Sequence, residues 1–523
     1  MDRFMQDAVR TNREAFEEET TVEVEAEHQH AAQLAWTRLR RFNCEPASQR
    51  RRDELDISIR CLRSKRSFYL PPVIQHREVL RAQGAQKPAR KSKWNLMKSF
   101  FSTYDGEGGN RGLFEDPHTV EKQFSLDWHR VVRKSRFRKK IMKSDAEVRR
   151  GLQSVDDEIE EVRQILFENN RLLRQTFVYY SSFTPGYDSD SIFQMTLKPT
   201  IKFAQECRIS DIKSRSITPV DLVSIFVCAN HEEMEGTTEA LNNSQQALVR
   251  FEFYEILVRL ATAKYIYSGK MNDSSDAVSR LVEMCIAPHL PAVARHNPDD
   301  FRRNRLYTQQ MDQLVVIHLP LLEAFFNIYK AKNKTKYFWV EHWLSFLKVN
   351  QMFGRYANIN KQEAKLIFEW SQMLVVDELR KRQRAVSLQF LDFVEAIARL
   401  ADCLSPPSDE ELQAFFQKWG PPTTSTPIWE YYNRFASDDE EDDDDDDVND
   451  DDVNYDVDDE MNKQPLNFNL EREDAPPLHI NFAALMEILT GELRRAMGGK
   501  SEAETVQRML RTAEFCSRKL RRA

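Results

Sequence analysis

Two stretches of the sequence share one pattern: FYEILVRLA at residues 253–261 and FVEAIARLA at residues 393–401. Both begin with Phe, have Glu at the third position and end in Leu-Ala. Each overlaps a short segment of β-strand character, LVRFEF in the first stretch and SLQFLDF in the second. The spacing of the apolar residues beyond it is that of a buried helix. The pattern therefore predicts one structural element that is used twice.

Two further pairs of segments repeat in the same order. LLRQTFVYY at residues 172–180 matches LLEAFFNIY at 321–329, at an offset of 149. ITPVDLVSIF at 217–226 matches INKQEAKLIF at 359–368, at an offset of 142, and the opening pair follows at 140. Three matches in one order, with slowly shrinking offsets, indicate a diverged internal duplication.

Both copies carry the same signal for a helix start. Thr218 is a good N-cap residue, and Asp221 stands three positions later, where a capping box places its acid. Pro219 fits the first helical position. Asn360 and Glu363 take the same two places in the second copy. We expect a helix to begin at each of these caps.

The end of each copy resembles the end of an EF-hand loop that runs into its exit helix, with Glu255 and Glu395 at the twelfth position. Calcium needs six to eight oxygen ligands, which the earlier loop positions must supply. At loop positions one, three, five and six the chain has Ser244, Gln246, Leu248 and Val249 in the first copy, and Arg384, Val386, Leu388 and Gln389 in the second. We therefore predict that both Glu are vestigial and that neither loop binds calcium.

A third segment, GYDSDS, also looks like the start of a calcium loop. It offers Asp188 and Asp190, but its twelfth position is Pro199, which has no side-chain oxygen. We predict no metal site and no cofactor here or elsewhere in the chain.

The composition favours a mainly α protein, with 41% hydrophobic residues, 30% charged residues and 14 Gly in 523 residues. The seven Cys are scattered without a C-x-x-C pair, which is typical of a reducing compartment. The N-terminal residues are charged, and no apolar run approaches the ~18 residues of a membrane span. We expect an intracellular protein that is not embedded in a membrane.

A long helix is predicted before the first copy, over residues 121–182. Apolar residues in it recur at steps of three and four, so that they form one stripe. The stripe comprises Val148, Leu152, Val155, Ile159, Val162, Leu166, Leu173 and Tyr180, with the polar Asn169 among them. Two interpretations stay open: self-association as a coiled coil through residues 148–180, or packing on the same domain.

Charge is distributed unevenly along the chain. Residues 438–460 contain 17 Asp and Glu and no Lys or Arg, and we predict an acidic disordered linker there. The rest of the chain has 75 Lys and Arg against 66 Asp and Glu, a net charge of +9. The densest basic run provides a candidate partner-binding patch: Arg130, Arg133, Lys134, Arg136, Arg138, Lys139, Lys140 and Lys143. It fits acidic tails of tubulin, nucleic-acid phosphates or a solvated helix face, and without a nucleic-acid-binding motif we consider nucleic acid the unlikely partner.

Enzyme motifs are missing from the sequence, which has no G-x-x-x-x-G-K-[ST], H-E-x-x-H or G-x-S-x-G. We expect no catalytic site. The fold class that we predict is mainly α, with two degenerate EF-hand-like helical modules, a long N-terminal helix and a disordered acidic linker. The predicted boundaries are an irregular region at 1–120, the long helix at 121–182, modules at 183–270 and 300–405, the linker at 406–475 and C-terminal helices at 476–523.

The first copy resembles the core of the tubulin polymerization-promoting protein family, an EF-hand offshoot associated with microtubules. The residues that carry the resemblance are Phe203, Cys207, Asp211, Lys213, Thr218, Asp221, Ile225, Phe226, Phe251, Phe253, Glu255, Leu260 and Ala261. The glycine-rich tubulin-binding segment of that family has no counterpart here. Tandem copies without calcium ligands are also similar to scaffold proteins of protist flagella.

This resemblance implies a non-enzymatic scaffold of the cytoplasm and cytoskeleton, associated with microtubules or with the axoneme of a cilium or flagellum, and with tubulin or axonemal proteins as partners. The acidic tract supports an alternative, a nuclear adaptor or histone-chaperone-like protein.

Overall fold

The chain is mainly α-helical, as its composition predicts. The computed structural model describes residues 94–103, 113–210, 217–231, 242–332, 337–357, 359–434, 476–497, 504, 507–509 and 511–512. They belong to one compact unit, Trp94–Ala523. Our predictions for residues 1–93, for the acidic tract and for most of residues 498–523 lie outside the described residues.

Five helices occupy the region for which we predicted one long helix, so that prediction is wrong. They are α1 (Pro117–Arg133), α2 (Ser135–Ser144), α3 (Ala146–Arg149), α4 (Val155–Glu168) and α5 (Asn170–Ser181). Lys134 and Asp145 have extended backbone angles and Gly151 has a φ of 70°, so a continuous helix cannot pass through them. Asp145 starts α3 by accepting hydrogen bonds from the N–H groups of Glu147 and Val148.

The apolar stripe of this region packs mostly inside its own chain. Ile159, Val162 and Leu166 are buried in one hydrophobic core with Phe253, whereas Leu152 at the start of the stripe is exposed. The buried members are therefore not available to a partner helix. A repeat of three and four residues identifies a buried helix face but does not say which chain covers it.

The first half of the molecule continues through two short strands and three helices. These are β1 (Met195–Thr196), α6 (Leu197–Glu206), α7 (Pro219–Asn230), β2 (Ala247–Leu248) and α8 (Arg250–Ala261). The strands pair antiparallel, with Met195 opposite Leu248 and Thr196 opposite Ala247. The loop between α5 and α6 is thereby joined to the loop between α7 and α8.

Three short helices lead to the second half: α9 (Ser274–Leu281), α10 (Ala287–His289) and α11 (Pro298–Phe301). The second half then contains α12 (Gln309–Lys332), α13 (Val340–Val349), α14 (Lys361–Ser371), α15 (Arg382–Ala385) and α16 (Phe390–Asp402). Short 3-10 turns occupy Leu96–Lys98, Phe100–Thr103, Ser189–Ser191 and Val293–Arg295. Turns of π-helix occupy Thr262–Ile266, Val282–Ile286, Arg302–Leu306 and Met352–Tyr356.

The loops of the second half also meet through an antiparallel contact, an isolated bridge between Phe338 and Leu388. Both halves therefore have the order helix, bridge, helix, helix, bridge, helix, apart from the short α15 before the second bridge. The start of α13 lies 143 positions after that of α6, and the start of α16 lies 140 positions after that of α8. The offset between structural elements shrinks along the chain in the same way as the offset between the repeated sequence segments.

The capping boxes predicted from sequence are confirmed. Thr218 accepts a hydrogen bond from the N–H of Asp221, whose side chain accepts one from the N–H of Thr218. Asn360 and Glu363 exchange the same two bonds at the start of α14. Each box satisfies N–H groups that have no partner within the helix.

Two hydrophobic cores correspond to the two halves. The first includes Phe203 and Phe253, and the second includes Phe346 and Phe393. Trp370 on α14 packs into the first core although its helix belongs to the second half. The position of Trp370 in the first core therefore connects the two halves.

Three further helices follow the second half: α17 (Asp409–Trp419), α18 (Pro427–Asn433) and α19 (Leu478–Met497). Helix therefore occupies the first part of the range 406–475 that we predicted as linker. Helix α19 packs on α12, α16 and α18. A Cβ at Gly491 of α19 would overlap the indole ring of Trp429 on α18, so the two helices approach as closely as they do because this position has no side chain.

Among the described residues, one helix is long and apolar enough to cross a membrane, at Gln309–Lys330. Its mean hydropathy is 1.3, and it lies in α12. The same helix contributes Met311, Val315 and Phe325 to the second core. A core helix of a water-soluble domain passes the same test, so this helix is weak evidence for a span and is compatible with a protein outside the membrane.

Candidate functional site

Glu255, which we predicted as a vestigial loop residue, lies on α8 inside the first core. Its side chain is fully buried and forms an ion pair with Lys134, whose Nζ lies 3.0 Å from Oε2 of Glu255. Arg259, one turn further along α8, forms a second ion pair with Glu255 through Nη2 at 2.7 Å. Lys134 also donates to the carbonyl oxygen of Ala229 at 2.7 Å. Two cationic side chains thus neutralise the buried carboxylate.

Glu395 has the same kind of environment on α16. Arg302 donates from Nε to Oε2 of Glu395 at 2.8 Å, and Arg399 contacts Oε1 through Nη2 at 2.7 Å. Arg302 also donates to Asp299 at 2.9 Å. Burial disfavours the charge of Arg302, but Glu395 and Asp299 more than offset this, so the pKa of Arg302 is raised well above its usual value.

Part of this arrangement is visible in the sequence and part of it is not. Both opening stretches contain Glu and Arg four positions apart, a spacing that brings the two side chains together on one helix face. The signal for Arg259 and Arg399 was therefore present in the repeat. Arg302 stands 93 positions before Glu395, and no local pattern connects them.

The loop positions that we compared with those of a calcium loop mainly place their side chains in the hydrophobic cores. Leu248 and Val249 are buried in the first core, and Val386 and Leu388 are buried in the second. Ser244 accepts a hydrogen bond from the N–H of Gln246 within its own loop. The side chains of Leu and Val have no oxygen to offer a cation.

Two other carboxylates lie in the first turns of α8 and α16. Glu252 accepts a hydrogen bond from the N–H of Val249 at 3.1 Å, and Asp392 accepts one from the N–H of Gln389 at 2.8 Å. Burial raises the pKa of Glu252 to about 7, although Lys134 at 3.5 Å opposes the shift. Each carboxylate comes four residues after the bridge residue of its loop.

The predicted basic patch divides into a buried part and a surface part. Lys134 is buried as described, and Arg130 forms an ion pair with Asp377 at 2.7 Å with its side chain 12% exposed. The other six residues are exposed or half-buried: Arg133, Arg136, Arg138, Lys139, Lys140 and Lys143.

Helix α2 carries five of those six residues. Its opposite face inserts Phe137 and Ile141 into the first core. The positions of Arg136, Lys139, Lys140 and Lys143 recur at helical spacing, so they share the solvent side of α2. We call these four residues the basic face.

Within the described residues, one group of carboxylates has the spacing of a metal site: Asp145, Glu158 and Asp273. Burial raises the pKa of Glu158 to about 8, with further contributions from the charges of Asp273 and Asp145. Sequence analysis missed this group because its members come from three separate helices.

Asp188, which resembled a loop start, instead accepts a hydrogen bond from the N–H of Ser191.

No family model, curated protein or solved structure matches this chain.

Proposed function

We propose that this chain is a non-enzymatic scaffold protein of two EF-hand-like modules that fold without calcium, and that it associates with microtubules or the axoneme. The observation that carries this proposal is the pairing of Glu255 with Lys134 and of Glu395 with Arg302. In each module a protein cation neutralises a carboxylate near the loop end. Such a module needs no ion to complete its fold.

The order of elements supports an EF-hand-like interpretation of both halves. An EF-hand is a helix, a twelve-residue loop and a second helix. If Glu252 and Asp392 are the twelfth residues of their loops, the bridge residues Leu248 and Leu388 both fall at the eighth position. This register lies three residues before the one that we counted from Glu255 and Glu395.

The first loop of the first half fits the same register. If Asp188 is its first residue, Met195 falls at the eighth position, opposite Leu248 in the strand pair. The sixth position, where an EF-hand loop has glycine for its sharp turn, is then Phe193, which has a φ of 52°. The positive φ of Phe193 supports the comparison with a calcium loop, although this position has no glycine.

The basic face of α2 is the surface that we assign to the microtubule. Phe137 and Ile141 anchor the helix in the core, so the backbone that carries these charges is held in place. A cluster of positive charge attracts an acidic polypeptide over several ångströms and raises the rate of association. The acidic tails of tubulin have the complementary charge, and the attraction should weaken with added salt.

Co-sedimentation of the full chain with taxol-stabilised microtubules tests this function. A variant with Arg136, Lys139, Lys140 and Lys143 changed to Ala should bind at least tenfold more weakly. A control variant changes four other surface cations to Ala: Arg171, Arg303, Lys348 and Arg380. The control should bind as the unchanged protein does, and both variants should retain its far-UV circular dichroism.

The proposal fails if the unchanged protein stays in the supernatant at low salt. Histone binding that disappears when residues 438–460 are deleted, without microtubule binding, would favour the nuclear adaptor or chaperone instead.

A further inference from the structure

Three carboxylates from separate helices converge next to the first core. Asp145 caps α3, Glu158 lies in the first turn of α4, and Asp273 caps α9. One oxygen atom of each residue lies within 4.8 Å of an oxygen atom of both others. Asp145 and Glu158 are fully buried, and Asp273 is half-buried.

Backbone and hydroxyl groups hold these carboxylates in place. Asp145 accepts a hydrogen bond through Oδ2 from the N–H of Ser274 at 2.8 Å. Glu158 accepts one through Oε1 from the N–H of Ser275 at 2.7 Å. The hydroxyl of Ser275 donates to Oδ1 of Asp273 at 2.6 Å. The start of α9 thereby contacts all three acids.

Helix capping explains Asp145 and Asp273, but it does not explain Glu158. Oε2 of Glu158 is buried and has no hydrogen-bond partner, and the hydroxyl of the neighbouring Ser274 is buried and unpartnered as well. Within the described parts of the chain, no Lys, Arg or His side chain pairs with any of the three carboxylates. A buried charge without a counter-charge is costly.

We propose that Asp145, Glu158 and Asp273 bind a divalent cation, and that the cation is calcium. Calcium binds oxygen ligands at 2.3–2.6 Å, so two ligands of one ion are at most about 5 Å apart. The spacing of the three carboxylates meets that limit. All three donors are hard oxygen atoms, which select calcium or magnesium over zinc or copper.

The shape of the group favours calcium over magnesium. Magnesium demands near-ideal octahedral geometry and retains several waters, whereas calcium accepts irregular and bidentate carboxylate ligands. Two of the three carboxylates here are fully buried, and the three come from different helices. The unpartnered hydroxyl of Ser274 supplies a further oxygen at the same junction.

This site lies outside the EF-hand-like loops, so it does not depend on the proposed function and does not conflict with modules that fold without calcium. It would fix the junction of α3, α4 and α9 in one arrangement.

Calorimetric titration of the full chain with calcium chloride tests the site in the variant Glu158→Gln. Gln is close to Glu in size and still accepts from the N–H of Ser275, so the metal-free variant should remain folded. The control Glu160→Gln changes an exposed carboxylate on the same helix. Any weak binding of calcium to the acidic residues 438–460 is common to all variants, so the difference between variants isolates the site.

We expect Glu158→Gln to lower calcium affinity at this site at least tenfold and to abolish the calcium-induced rise in Tm, while Glu160→Gln changes neither. Identical titrations for the unchanged protein and Glu158→Gln would overturn the proposal. Tighter binding of magnesium chloride than of calcium chloride would overturn the assignment to calcium.

Discussion

Arg302 donates a hydrogen bond from Nε to Oε2 of Glu395 at 2.8 Å, at a point where the arginine side chain is fully buried. In the first half, the buried Lys134 forms an ion pair with Glu255, with Nζ 3.0 Å from Oε2. Both cations come from segments that precede the helix pair whose carboxylate they neutralise. In each half, a cation from an earlier segment of the chain neutralises the buried carboxylate.

Replacing Arg302 with Ala should destabilise the protein by about 3 to 5 kcal/mol, because Glu395 would be left buried with less counter-charge. Urea unfolding followed by circular dichroism measures the change. The control Arg303→Ala, at a neighbouring side chain that is 59% exposed, should change the unfolding free energy by no more than about 0.5 kcal/mol. If Arg302→Ala lowers the unfolding free energy as little as Arg303→Ala does, the pair of Arg302 and Glu395 does not stabilise the second half.

Lys134→Met should destabilise the first half by a similar amount, about 3 to 5 kcal/mol. The reason is that it leaves the buried carboxylates of Glu255 and Glu252 with less counter-charge. Lys139→Met is the matched control on the same basic run, since Lys139 is exposed. Its unfolding free energy should stay within about 0.5 kcal/mol of the unchanged protein. Equal losses in the two variants would mean that the basic run is not divided into structural and surface residues.

Acid should destabilise the protein partly through His342. Burial lowers the pKa of His342 to about 4, and its Nδ1 accepts a hydrogen bond from the N–H of Trp339 at 2.8 Å. In the unfolded chain the pKa of His is about 6.5. Between these values the unfolded state binds a proton that the folded state does not, so stability present above pH 6.5 is lost as the pH falls towards 4.

His342→Gln removes this titration and keeps an acceptor at the third helical position. Between pH 7 and pH 4.5 the unchanged protein should lose about 1 to 2 kcal/mol more unfolding free energy than the variant does. Unfolding curves at both pH values give the difference. Equal losses of unfolding free energy in the two proteins would show that His342 does not cause the loss of stability in acid.

Gly491→Ala should separate α18 from α19, because the added methyl group overlaps the indole of Trp429. Overpacking of this kind costs about 1 to 3 kcal/mol. A fall in Tm and a shift in tryptophan fluorescence measure the effect. The control Ala483→Ser, at an exposed position of the same helix, should leave both nearly unchanged. An unchanged Tm in Gly491→Ala would instead show that the two helices separate at little cost.

The sequence is informative about local structure. The mainly α fold and the helix starts at Thr218 and Asn360 follow from composition and from side chains within three positions of each other. Contacts of this range are encoded in consecutive residues, so a pattern can reveal them.

Breaks in helices and long-range pairs are harder to infer. The predicted long helix is interrupted at Lys134 and Asp145, before the apolar stripe begins, and again at Gly151, although the apolar spacing continues past Gly151. The partner of Glu395 is 93 positions away, and its identity depends on how the halves pack. The group of Asp145, Glu158 and Asp273 is hard to infer for the same reason, because its members belong to three helices that meet only in the folded chain.

Helices α18 and α19 contact each other across a gap of 41 residues in the described chain, from residue 435 to residue 475. The chain from residue 435 to residue 475, which contains the acidic tract, is therefore a tether between two helices that pack together, and not a tail. A single proteolytic cut within it would give two bands on a denaturing gel but one particle in gel filtration. Changes in the length of the tether should cost little, because the free energy of closing a loop grows only logarithmically with its length.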